Sequence, residues 1–178
     1  MLLSDSEILN AIEESSIVIK PFSIENLGPN SYDLHLGNFL ATFKDDLLDV
    51  KKDNEVEYFQ IPETGFILQP GKLYLGVTKE YTETHKFVPC LENKSSLARL
   101  GISIHMAPLG NVHFCNHWTL EISCIHPIRI YKDMPIAQIL YFKINHETIL
   151  KKYNKNPLAK YNIISDKPTK SMMWKNFL

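Results

Sequence analysis

The sequence predicts a mainly β chain arranged as a barrel, sandwich or jelly roll, opened by one short helix and closed by a polar tail. Two observations carry this prediction. Short runs rich in Val, Ile, Tyr and Phe recur at roughly ten-residue spacing, and Pro, Gly, Asn or Asp turns separate them, a pattern that points away from βαβ units. The chain has 178 residues, 44% hydrophobic and 22% charged, enough to bury a core in a single domain.

The elements follow in order. Ser4 and Glu7 stand at capping-box spacing, and Ile8, Leu9 and Ile12 add an apolar stripe, so a helix opens the chain. Strands are expected in "SIVIKPF", "SYDLHLGNFLATF", "EYFQI", "GFILQP", "KLYLGVTKEY", "GISIHMA", "HWTLEISCI", "PIRIYK" and "IAQILYFKI". "KSSLARLG" interrupts them with good helix formers, and Gly101 ends it as a C-terminal cap. No repeat or low-complexity segment is visible. Residues 1–150 are read as the β domain and 151–178 as its tail or lid, a polar and basic stretch that packs over this subunit or a neighbour.

A formal net charge of -1 and a pI near 6.6 exclude duplex nucleic acid held by bulk electrostatics, so any phosphate partner is met locally. Three cysteines, Cys90, Cys115 and Cys124, suit a reducing compartment better than a disulfide framework. The start carries acids by its fifth residue and lacks a signal peptide or membrane span, so the expected location is cytoplasmic.

Three stretches offer chemistry. In "KSSLARLG", Ser95 or Ser96 begins a helical turn whose free N–H groups, hydroxyls and neighbouring Lys94 make an anion site, with Arg99 on the face of Ser95. A capped turn with solvated charges explains the same residues. In "WTLEISC", Trp118, Leu120, Ile122 and Cys124 alternate with Thr119, Glu121 and Ser123. Glu121 is either solvent-side decoration or, under a cover, a desolvated acid fit for proton transfer. "HFCNH" places His113, Cys115 and His117 on one face of an extended strand as zinc-competent ligands, although a loop of partly buried His and Cys is the simpler account. His105, Met106 and Met134 are read as packing residues, Tyr74, Phe66 and Trp118 as core, and His85, His126 and His146 as chemically idle.

"KSSLARLG" followed after about twenty residues by "WTLEI" closely resembles the dCTP deaminases of the dUTPase superfamily. "NSYDLHLGN" resembles that family's first block and "YNKNPLAKY" its C-terminal lid, so the resemblance runs nearly end to end. It implies a distorted jelly-roll β-barrel that works as a homotrimer with sites between subunits. It also implies hydrolysis of the 4-amino group of dCTP to dUTP and ammonia, or onward to dUMP in bifunctional members, with Mg2+ on the triphosphate and no zinc. By the same resemblance Glu121 is the catalytic acid and base, Ser95 and Arg99 support it and the water, and Lys94 to Arg99 bind phosphate. Thr119, Leu120 and Glu121 contact the pyrimidine, and Tyr153 and Lys160 reach the nucleotide from the lid.

The residues agree with that chemistry, because one glutamate can carry protons from water to ring N3 and to the leaving amine. The zinc-deaminase pattern is missing: "VPCLEN" has Pro-Cys without a second Cys, and no H-x-E occurs. Several positions depart from the family. Asn111 replaces an aspartate at the deoxyribose; an amide can hydrogen-bond there but cannot act as a base, which favours dUTP over dUMP as product. His113 and Asn116 stand where glycines are usual and positive φ is expected, Ile164 replaces a phosphate-binding glutamine, and His35 replaces an arginine. These departures motivate the alternative of a nucleotide-binding regulator or decoy that has lost efficient catalysis.

Overall fold

A computed structural model describes residues 1–105 and 107–178 of the chain, so Met106 lies outside the described residues. Helix α1 (Asp5–Glu13) starts where the capping box places it. The Glu7 N–H donates to Ser4 Oγ at 3.4 Å and the Ser4 N–H donates to Glu7 Oε2 at 3.0 Å, which satisfies two of the helix's orphan donors. Ile8 and Ala11 turn inward.

Ten strands follow: β1 (Ile17–Lys20), β2 (Tyr32–Phe43), β3 (Val56–Gln60), β4 (Phe66–Leu68), β5 (Tyr74–Thr84), β6 (Phe87–Asn93), β7 (Ile102–Ile104), β8 (Cys115–Cys124), β9 (Ile128–Ile130) and β10 (Pro135–Lys143). Eight of them form one sheet in the order β6-β10-β2-β5-β8-β7, with β1 added to β5 and β3 to β2, while β4 and β9 pair separately. All ladders are antiparallel. Strand β2 is long enough to pair with β10 at its start and β3 at its end, and its register with β5 shifts between Leu36 and Leu40. Such irregularities bend a sheet. The end strands β6 and β7 approach each other, and the nearly closed sheet wraps a core that includes Leu34, Leu36, Leu40, Leu120, Ile122 and Tyr141.

Strand β6 is the element that periodicity did not pick out. "KFVPCLEN" contains Pro89 and ends in Glu92 and Asn93, all poor strand formers. The sheet tolerates Pro89 because β6 lies at the end of the sheet order, pairing with β10. His105 also differs from the packing role expected of it: it is exposed, with Nε2 2.6 Å from Ser123 Oγ. Met134 does pack against the core.

Residues 151–178 contain two 3-10 turns, Tyr153–Lys155 and Met173–Phe177, and fold back over the chain's own sheet. Lys167 Nζ sits 4.8 Å from the Phe39 ring centroid, Lys170 pairs with Asp53 at 2.9 Å, and Pro168 is buried. These contacts hold the tail against β2 and the loop that follows it.

Candidate active site

The site is built on β8. Leu120 and Ile122 are fully buried and Cys124 nearly so, which aims the intervening residues at the opposite face. There Thr119 and Glu121 line a cavity of about 410 Å³ whose walls include Leu75, Phe114, Trp118 and Tyr161. Strand β5 supplies the floor, with Leu75 opposite Glu121 in register. Gly110 lets the preceding segment lie against this wall: a Cβ on it would come within 2.4 Å of the Trp118 ring.

Glu121 is the one carboxylate among the cavity's lining residues, and it is half-buried. Burial raises its pKa above the usual carboxylate range, offset in part by a backbone hydrogen bond. Its main-chain carbonyl accepts the His105 N–H at 2.7 Å, which ties β8 to the segment carrying Ala107 into the cavity. Desolvation makes this carboxyl a stronger proton acceptor than a solvated one, which suits a group that must take up a proton and give it back.

The tail reaches the same cavity through Tyr161, Thr169 and Ser171. The Thr169 N–H donates to Thr119 Oγ1 at 2.9 Å. Asn116 holds the tail more firmly. Its side-chain amide donates to the carbonyls of Tyr161 at 3.1 Å and Ile163 at 2.9 Å, and Oδ1 accepts the N–H groups of Ser165 at 3.1 Å and His117 at 2.8 Å. All the ordinary donors and acceptors of a buried amide are thereby used. Asn116 needs no positive φ: it lies in β8, and only His113 of the two takes that conformation, with φ of 67°. Sequence reasoning missed its role as a clamp. No local signal marked it, since its partners Tyr161, Ile163 and Ser165 lie more than forty positions away in the chain.

The residues expected to meet phosphate sit elsewhere. Helix α2 (Ser95–Arg99) is one turn capped by Lys94, with no side-chain cap bond, and Gly101 follows it with φ of 82°. Ser95, Ser96 and Arg99 are exposed, and none of them lines the cavity with Glu121. Lys94 Nζ is 2.5 Å from Asp33 Oδ2 of the "NSYDLHLGN" block. Asn111 is exposed as well, outside the cavity lining. The Tyr153 ring packs at a tilt against Phe114 with centroids 5.8 Å apart, and its hydroxyl accepts the Tyr161 N–H at 3.3 Å; Tyr161, rather than Tyr153 or Lys160, lines the pocket. Leu120 points into the core, so only its backbone is available to a ligand.

The face predicted for "HFCNH" does not form. Strand β8 begins at Cys115, while His113 occupies a turn, so a two-residue period does not extend back to it. The His117 Nδ1 faces the Thr78 carbonyl at 3.0 Å. Cys115 lies across β5 from Glu83 and near His85, a residue read from sequence as idle.

A family model described as dCTP deaminase-like matches residues 2–144. The chain belongs to the dCTP deaminase-like family. Within that family it is 49% identical over 178 residues to a protein of Clostridium botulinum (strain Alaska E43 / Type E3), covering 99% of both chains, and 46% identical over 179 residues to one of Hathewaya histolytica. Both are named "dCTP deaminase, dUMP-forming", which differs from the expectation of dUTP as end product. The solved 2'-deoxycytidine 5'-triphosphate deaminase from Agrobacterium tumefaciens shares the fold, with a TM-score of 0.61 at 18% identity over 79% of this chain. The chain spans about half of that solved chain, 47% of its length. The dUTPase-like β-barrel expected of the family is therefore the observed architecture.

Proposed function

We propose that the chain hydrolyses the 4-amino group of dCTP, with Glu121 as the proton shuttle. The observation that carries this reading is a desolvated carboxyl facing a cavity in a chain nearly half identical to proteins named dCTP deaminase. Water attacks C4 as Glu121 takes its proton and protonates ring N3; collapse of the tetrahedral adduct releases ammonia, the amine receiving a proton through the same carboxyl. Thr119 and the β8 backbone align the pyrimidine.

Ser95 and Arg99 come from a second copy of the chain in a homotrimer. Their exposure and their absence from the Glu121 cavity support this arrangement, because each is positioned to meet a surface outside its own pocket. Lys94, Ser95, Ser96 and Arg99 bind the triphosphate, and Asn111 the deoxyribose. Magnesium enters on the nucleotide. A lining with a single carboxylate fits that role better than a dedicated oxygen cage. The tail closes over the base, with Tyr153 and Lys160 at the nucleotide's edge.

The end product proposed is dUMP, on the strength of the relatives' names. Two waters are consumed, giving dUMP, ammonia and pyrophosphate. Release at dUTP is the second reading, favoured by Asn111, which can orient a water but not deprotonate it. We place the reaction in the cytoplasm on the strength of three cysteines that are all free.

An assay of purified protein with dCTP and Mg2+ that resolves ammonia, dUTP, dUMP and pyrophosphate tests all of this. Ammonia with dUMP and pyrophosphate supports the reading, and ammonia with dUTP alone moves it to the second product. Nucleotide binding without turnover would replace it with a regulatory role.

A further inference from the structure

We propose that Glu83, His85 and Cys115 form a binding site for a divalent transition metal of the zinc class, separate from the chemistry at Glu121. Antiparallel pairing of β5 and β8 sets Glu83 directly opposite Cys115, and the turn after β5 swings His85 back toward them. One ligand atom from each residue lies within 4.8 Å of the other two, and all three side chains are half-buried. Glu83 Oε2 is 2.9 Å from His85 Nε2 and 4.0 Å from Cys115 Sγ. Tetrahedral zinc with bonds of about 2.0 to 2.3 Å separates its ligands by about 3.3 to 3.7 Å. The two observed separations bracket that range, so small side-chain rotations admit the ion.

The remaining polar atoms of these ligands already have orienting partners. The Tyr81 hydroxyl donates to Glu83 Oε1 at 3.1 Å, leaving Oε2 for a metal. His85 Nδ1 stands 3.5 Å from His113 Nδ1. With Nε2 on a metal, His85 carries its proton on Nδ1 and donates it to His113, which takes the place of the carboxylate, carbonyl or water that more often orients a ligating imidazole. His113 is fixed in place by its N–H bond to the Thr84 carbonyl at 2.7 Å, in spite of a left-handed backbone. Oxygen, nitrogen and sulfur together select zinc or cobalt over magnesium or calcium, which take oxygen ligands. The Cys115 thiol proton leaves to solvent on binding, and water takes the fourth position.

Cys115 does not line the cavity of Glu121, but its neighbours Phe114 and Asn116 do. A metal at Cys115 thus pins the turn of residues 111–114 to the C-terminal end of β5, next to the amide that clamps the tail. Its role is structural, and it holds whether or not the deaminase reading does.

The test uses the full-length protein, stripped with a chelator, equilibrated with Zn2+ or Co2+ and passed through gel filtration. One metal per chain is expected, with a near-ultraviolet thiolate-to-cobalt charge-transfer band in the Co2+ form. Cys115→Ser should abolish the band, His85→Gln should abolish retention, and His113→Gly should weaken affinity roughly 10- to 100-fold. Near-ultraviolet circular dichroism of the metal-free variants reports whether they fold, and His113→Gly relieves backbone strain, so it remains informative if Cys115→Ser does not fold. Absence of a thiolate band in the wild type, or undiminished retention in His85→Gln, overturns the proposal.

Discussion

The side-chain amide of Asn116 donates to the main-chain carbonyl of Ile163 at 2.9 Å, so the strand that carries Glu121 also holds the C-terminal tail. Asn116 thus couples the sheet to the cover of the cavity, beside the Thr169 N–H bond to Thr119 Oγ1. Asn116→Ala should free the tail without unfolding the barrel, because the groups it strands belong to the tail and to one strand position. The local opening free energy should fall by about 2 kcal/mol, the scale of losing partners for buried amides. Hydrogen exchange at the Ser165 amide, roughly 30-fold faster in the variant, would register this.

Glu121→Gln keeps the shape of the side chain and removes its proton transfer. Deamination should fall by at least about 10²-fold, the scale of general acid and base catalysis, while calorimetry still detects dCTP binding. Turnover within a few-fold of wild type would assign the proton shuttle to another group.

Glu121 also gives stability a pH dependence. Burial raises its folded pKa above 4.5, so the fold favours the neutral carboxyl. Its contribution is complete below the unfolded value and is lost as pH rises through the raised folded one. The melting temperature of Glu121→Gln relative to wild type should therefore climb as pH rises from the unfolded carboxyl's range through the raised folded one. A flat difference would show that Glu121 is solvated.

Arg99 is exposed and outside the Glu121 cavity, which makes a site shared between copies directly testable. Arg99→Ala and Glu121→Gln should each be inactive alone. Mixed assemblies refolded from both should regain activity, since some sites shared between copies then draw Glu121 and Arg99 from intact donors. No recovery in verified mixed assemblies would place both residues in one subunit's site.

Glu80 is 2% exposed and accepts the His35 N–H at 2.8 Å, with His35 Nδ1 2.7 Å from its other oxygen. This contact accounts for a histidine in the first sequence block. Glu80→Ala strands both donors and should cost about 2 to 3 kcal/mol in urea unfolding. Glu80→Gln, which still offers an acceptor, should cost less.

Alternation made the strands legible, because residues on successive sides of a half-buried strand meet different solvents. It failed at β6, where Pro89 and Glu92 hide a strand whose place at the sheet's end tolerates both. The same alternation put Thr119 and Glu121 on one face yet could not say what covers that face. Asn116 was read only as a substituted glycine, since hydrogen bonds to Tyr161 and Ile163 join residues more than forty positions apart. The separation of Ser95 and Arg99 from the cavity was equally invisible, as spacing along a chain carries no distance across a fold.

Sequence alone determined the class of fold, the family and the candidate acid, because periodicity, turn residues and short motifs are local properties of the chain. Only tertiary structure decided that Glu121 is desolvated, that the tail is clamped above it, and that Cys115 meets Glu83 and His85. Those outcomes depend on strand register and on the path of the tail, which arise when distant segments pack together.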